Sequence, residues 1–210
     1  MRRSMKRLRH LPAVALVTFN RCAFELLGSP PPLARSKLHL RVFRVSADPG
    51  PASLAPALRH AAAILAAANI ALSVDHRQVL GRYHLARVAQ LESPWPTPHG
   101  ALAHLVRSGR AAMPGSGLAL FVVDQLPRGT HGESLGLPGP PMPDADYSGV
   151  VVQEGQAQLL GRYIAHELAH FLGLPHPVAG TAPDDNLMFN GDTLTAEQRQ
   201  QLQRSPLLRG

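Results

Sequence analysis

His166-Glu167-Leu168-Ala169-His170-Phe171-Leu172-Gly173-Leu174-Pro175-His176 is the stretch on which the fold of this 210-residue chain turns. It closes a segment, Gln156 to Leu172, in which Leu159, Leu160, Tyr163, Ile164, Leu168, Phe171 and Leu172 recur at helical spacing. On such a helix His166 and His170 project from one face, one turn apart. That is the separation at which two imidazoles meet one tetrahedral zinc ion. Glu167 is rotated about 100° from His166, so its carboxylate reaches water beside a metal more readily than the metal itself. A third ligand on the same face would crowd the first two. Gly173 removes the difficulty, because glycine adopts the left-handed conformation that ends a helix and turns the chain. After Leu174 and Pro175, His176 returns toward the metal.

Three protein ligands leave one zinc position open, as catalysis requires, whereas structural zinc usually has four. The expected chemistry is peptide-bond hydrolysis. Zinc lowers the pKa of water and polarises the carbonyl, while Glu167 takes a proton as general base and passes it to the leaving amine. A bare His-Glu-x-x-His arises often by chance. Gly173 and His176 at fixed offsets, on a helix with the correct apolar face, make the combination specific. The bland alternative is three surface or core histidines that happen to be spaced this way. A rival of another class is a zinc-stabilised binding domain without turnover. Glu167 speaks against that rival, because a structural site has no use for a base.

The same eleven residues resemble the extended zinc signature of the metzincin metallopeptidases. Metzincins also carry a methionine turn below the metal, and Asn186-Leu187-Met188-Phe189 is similar to it. The resemblance covers roughly residues 38–205 and implies an α+β, zincin-like fold. Its parts are a twisted mixed sheet with a backing helix and the active-site helix, and a small C-terminal subdomain ending in a helix. Residues 1–34 are then a basic leader and linker, and 35–210 a catalytic domain with its upper subdomain over about 35–173 and its lower over about 174–210. The resemblance further implies His166, His170 and His176 as ligands of one catalytic Zn2+, Glu167 as catalytic residue and Met188 as a structural residue. A peptide or protein substrate would lie antiparallel along an edge strand, in the region of Gly132 to Gly136. Pro177 stands where the well-known subfamilies place Ser, Asp, Glu or Thr, and Asn190 where some members have a tyrosine. No subfamily is therefore assigned, though the small bacterial members are the most similar.

Outward from this centre, Leu38, Leu40 and Val42 alternate with His39, Arg41 and Phe43, the period of a half-buried strand. Asp48-Pro49-Gly50-Pro51 breaks the chain, and Leu54, Leu58, Ala61 and Leu65 then fall at helical spacing. Asn69 stops that helix, and Ile70, Leu72 and Val74 alternate as a second strand. Strand, helix and strand make a unit suited to a sheet backed by a helix. Residues 94–98 break the chain again, ahead of a weaker helical stretch near Ala101 to Arg107. Gly117 to Val123 reads as a buried strand, residues 128–147 as an irregular surface segment rich in Gly and Pro, and Val150 to Val152 as a short strand. Thr195 caps a last helix, with Gln198 completing the glutamine form of a capping box.

The formal charge of +7 is concentrated at one end. Residues 1–44 carry ten Arg or Lys against one acid, leaving the remainder at −2. A nucleic-acid-binding domain carries its basic face on the fold itself, so nucleic acid is not an expected partner. No apolar run reaches the roughly 18 residues of a membrane span. A membrane partner is accordingly not expected, and a monomer is. Arg2, Arg3, Lys6, Arg7 and Arg9 precede an apolar run from Leu11 to Phe19, the order of a secretory signal, but Asn20 and Arg21 interrupt it. Two alternatives stay open: an exported or periplasmic protein with a cleaved signal, or a cytoplasmic one with a basic leader. If retained, residues 1–19 could instead anchor the protein at a membrane surface.

Three smaller candidates remain. Cys22, the single cysteine, forms no intramolecular disulfide and stands where a thiolate could cap zinc in a latent form, or is merely part of the leader. His131 lies near the expected cleft, either touching substrate or solvated on a loop. Asp184 and Asp185 either contribute to a calcium site or form a polar turn, and calcium requires several more oxygen ligands.

Overall fold

Continuous aliphatic runs build a sheet whose centre is buried on both faces. The computed structural model describes residues 36–45, 54–80, 105, 107, 108, 111, 117–126, 131–135 and 149–208, apart from 179, 182 and 190. Strands β1 (Ser36–Val45), β2 (Ile70–Leu80), β3 (Leu118–Val123), β4 (Gly132–Leu135) and β5 (Gly149–Gln153) form one sheet in the order β2-β1-β3-β5-β4. The first three and β5 run parallel, and β4 pairs antiparallel with β5. Helices α1 (Leu54–Ala66), α2 (Ala157–Phe171) and α3 (Ala196–Gln203) follow the chain order, before a final 3-10 turn at Pro206–Leu208. This is the mixed sheet with backing and active-site helices that the resemblance implied. No helix among the described residues is long and apolar enough to cross a membrane.

The alternation in β1 holds only for its first half. Beyond Leu40 both faces are covered: Arg41 and Phe43 are as buried as Val42. The reason is long-range, since β1 is an inner strand and Phe43 stacks on its register partner Phe121 with ring centroids 4.8 Å apart. A second expectation also needs correcting. The composition of residues 128–147 reads as irregular, yet Gly132–Leu135 is a strand, held by its ladder to β5 rather than by intrinsic propensity, and it lies at the sheet edge in the region where the resemblance implied an edge strand. Of the expected helical stretch near Ala101 to Arg107, Leu105 and Arg107 are helical, as are Ser108 and Ala111 beyond it. The leader with Cys22, the linker and the break at 94–98 lie outside the described residues.

One face of the sheet meets α1 and α2. Leu40 and Val42, Leu120 and Val122, and Val150 and Val152 share an apolar cluster with Ala57, Ala61 and Leu65 of α1 and Leu160, Ile164 and Leu168 of α2. The helices touch where α2 has no side chain: a Cβ at Gly161 would lie 2.6 Å from the Ala57 carbonyl oxygen and 2.8 Å from His60 Cβ. Backbone cannot yield cheaply there. Gly161→Ala is therefore expected to destabilise the fold by about 2 kcal/mol through overpacking, read as a lower urea midpoint with unchanged slope.

Candidate metal centre

Helix α2 ends in a glycine turn that also orients one of its own histidines. Gly173 has φ 103°, the Gly173 N–H donates to the His170 carbonyl at 2.9 Å, and the Leu174 N–H donates to the Ala169 carbonyl at 2.9 Å. These are the paired bonds of a Schellman motif, which requires a left-handed residue where Gly173 stands. The turn swings the Leu174 carbonyl back onto the ring of His170, whose Nδ1 lies 2.8 Å away. The other two imidazoles are held in the same manner by the turn that carries Leu187 and Met188. His166 Nδ1 lies 2.8 Å from the Leu187 carbonyl and His176 Nδ1 2.7 Å from the Met188 carbonyl.

Each Nδ1 must donate to its carbonyl, so each ring carries its proton there and presents a bare Nε2. The three rings contribute one nitrogen each to a cluster whose atoms all lie within 4.8 Å of one another. His170 Nε2 and His176 Nε2 stand 3.0 Å apart. Two bare nitrogens at that distance repel unless a cation lies between them. Ligand nitrogens about 2 Å from one tetrahedral ion are about 3.3 Å from each other, so the three residues fit a single metal ion. Burial supports the same protonation state. It is the main cause holding His166 below its ordinary pKa, with repulsion from His176 adding to it and the Leu187 bond opposing. Burial, followed by repulsion from His166 and His176, lowers His170 to about 3. Both are neutral at pH 7, the form that binds metal.

Glu167 follows His166 and is buried, at 8% exposure. Its side chain runs along β4 so closely that a Cβ on Gly132 would lie 2.6 Å from Cγ and 2.8 Å from Oε1. Met188 is fully buried in the main apolar cluster. His131 is not on a free loop. Its carbonyl accepts from the Gln153 N–H, extending the β4 ladder, and its exposed ring stacks on Tyr163 of α2 with centroids 4.7 Å apart. Asp184 and Asp185 are exposed in the turn before Met188, where the Asp185 carbonyl accepts from Thr193. Among the described residues, the three histidines form the one group of three or more His, Cys, Asp or Glu side chains spaced for a metal ion.

Several ties around the centre had no signal in the sequence. Asp192 joins both helices, accepting from Arg162 Nε at 2.7 Å and lying 3.2 Å from His60 Nε2. Gln201 Nε2 donates to the Gly173 carbonyl at 2.7 Å, linking α3 to the Schellman turn. The Thr195 capping box is formed as expected, and its Gln198 reaches further, to Asn186.

Comparison with solved structures places the fold. A promirolysin variant from Tannerella forsythia superposes with a TM-score of 0.62 at 13% identity, over 98% of this chain and 94% of that one. The chain has a metzincin-type fold. Archaemetzincin from Methanopyrus kandleri is similar over 83% of this chain and 97% of its own, with a TM-score of 0.50 and 16% identity. Metalloproteinase-II from Bacteroides fragilis gives a TM-score of 0.54 at 13% identity, covering 83% of this chain, which spans only 55% of that protein. No protein-family model and no curated protein sequence matches the chain. The His166–His176 stretch lies on α2 and the turn beyond it.

Proposed function

We propose that this protein is a zinc-dependent peptidase, with residues 35–210 as its catalytic domain, His166, His170 and His176 holding the ion, and Glu167 as general base. The observation that carries this reading is the convergence of three Nε2 atoms, each bared by a main-chain carbonyl, beside a buried carboxylate on the same helix. An all-imidazole set of three suits zinc with one position left open. Bound zinc would supply a Lewis acid that polarises a carbonyl and acidifies water. Glu167 accepts the proton of the attacking water and returns it to the leaving amine. β4 is the last strand of the sheet and no strand among the described residues pairs with its outer edge, so an extended peptide can add there through main-chain hydrogen bonds. That edge begins at Gly132, against the carboxylate.

Gly132 supplies a test that leaves the ligands untouched. The Cβ of Gly132→Ala would displace Glu167, and a shift of the base by a fraction of an ångström to one ångström is expected to lower kcat about 10- to 100-fold. Zinc content, measured by atomic absorption, should stay that of the wild type. The proposal as a whole is tested with a mixed quenched-peptide library. Cleavage by the zinc-loaded protein that stops on chelation and returns with zinc supports a peptidase. Zinc uptake with no cleavage of any peptide would leave a zinc-stabilised binding domain instead.

A further inference from the structure

We infer that the buried amide pair Asn186–Gln198 is a positioning element for the metal centre, holding the two carbonyls that orient His166 and His176. The inference rests on the three histidines being the metal ligands. Leu187 and Met188, whose carbonyls accept from those rings, directly follow Asn186. Asn186 fixes this turn with both its main chain and its side chain. Its carbonyl accepts from the N–H groups of Phe189 and Gly191, each at 3.0 Å. Its Oδ1 accepts from the Met188 N–H at 3.0 Å. A Cβ at Gly191 would collide with Asp185 backbone, so the turn closes too tightly for any other residue there.

The side chain of Asn186 is in turn held by Gln198. Asn186 Nδ2 donates to Gln198 Oε1 at 2.7 Å, and Gln198 Nε2 donates to Asn186 Oδ1 at 3.1 Å. Gln198 Oε1 also accepts from the Thr195 N–H at 2.9 Å. Only one orientation of the two amides satisfies these bonds. A flipped Gln198 would set its NH2 against the Thr195 N–H, and a flipped Asn186 would set its own against the Met188 N–H. Asn186 is 0% exposed and Gln198 8%, so water does not substitute for either partner. The Thr195 N–H thus orients the Gln198 amide, Gln198 fixes Asn186, and Asn186 fixes the two carbonyls on which the imidazoles hang. Groups that orient metal-bound histidines change metal affinity when they are lost.

The test compares the full chain with Asn186→Ala, Gln198→Met and Thr195→Ala. Zinc affinity is measured by competition with a chromophoric chelator, and the melting temperature of each metal-free protein is measured alongside. Gln198→Met keeps the buried volume and removes the amide, so it decides the question if Asn186→Ala does not fold. Both amide variants are expected to bind zinc about 10- to 100-fold more weakly. Thr195→Ala removes the cap hydroxyl but leaves the amide pair, so it should lower the melting temperature by about 3 °C with zinc affinity unchanged. Wild-type affinity in both amide variants would overturn the inference. So would weakened binding that tracks melting temperature across all three variants, because that is the behaviour of a structural contact. A wild-type chain that takes up no zinc would refute the ligand assignment itself, and with it the inference.

Discussion

Glu167→Gln is expected to lower kcat for peptide hydrolysis by about 10³- to 10⁴-fold, the upper range for loss of a positioned general base, while zinc binding persists. Glutamine has the same shape as glutamate, and the site is sensitive to shape. The side chain is buried and lies against Gly132, where no spare volume exists. What the substitution removes is the capacity to accept a proton. The metal should stay, because the convergent nitrogens come from His166, His170 and His176, and Glu167 is not among them. Turnover of a quenched peptide and zinc content on the same preparation check both halves. Zinc lost together with activity would make Glu167 a ligand. Activity kept within a few-fold of wild type, well short of the loss expected for a general base, would remove it from the proton transfer.

His170→Ala should have the largest effect on the metal itself. If three ligands share a binding free energy of about 10 kcal/mol, losing one weakens zinc by two to three decades. Binding confined to the folded state adds about 4 kcal/mol of stability at a thousandfold excess over Kd. Chelation of the wild type should therefore lower its melting temperature by roughly 10 °C, and His170→Ala should show no such drop. The metal-free protein should also be acid-sensitive. The folded pKa values of His166 and His170 both lie below the ordinary 6.5, with His170 at about 3. Below about pH 6.5 the unfolded chain then binds more protons than the folded one. Stability present above that pH is lost progressively as pH falls toward 3, and the melting temperature of the chelated protein from pH 7 to 4 reads this directly. A flat profile would contradict the burial of these rings.

The parts of the centre that were legible in the sequence are those carried by local pattern. His166, Glu167 and His170 share one amphipathic helix, and Gly173 marks its end through a conformation that favours glycine. The β1–α1–β2 unit was legible for the same reason, down to Asn69, whose φ of 60° closes the turn between α1 and β2. What stayed hidden depends on partners distant in the chain. The second buried face of β1 exists because Phe43 meets Phe121, and β4, hidden in its own composition and implied only by the resemblance, is a strand because β5 pairs with it. Gln198 was visible as part of a cap, but nothing near it pointed to Asn186, twelve residues earlier. The close approach of Gly132 to Glu167 was equally silent, since a glycine in a Gly- and Pro-rich stretch reads as a turn.

The three carbonyls that hold the imidazoles lie at very different distances along the chain from the rings they serve. Leu174 is four residues beyond His170, whereas Met188 is twelve beyond His176 and Leu187 twenty-one beyond His166. The first anchor matures with α2 alone, within one turn of its end. The other two wait until the segment reaching to Gln198 has docked. During synthesis the centre is therefore completed late, after residues through α3 have left the ribosome and found their place. A nascent chain that stops short of Asn186 can form the histidine helix, yet two of its three rings have no carbonyl to set their tautomer. Competence is thereby coupled to synthesis of the chain through α3, a timing that comes from chain order and needs no additional part.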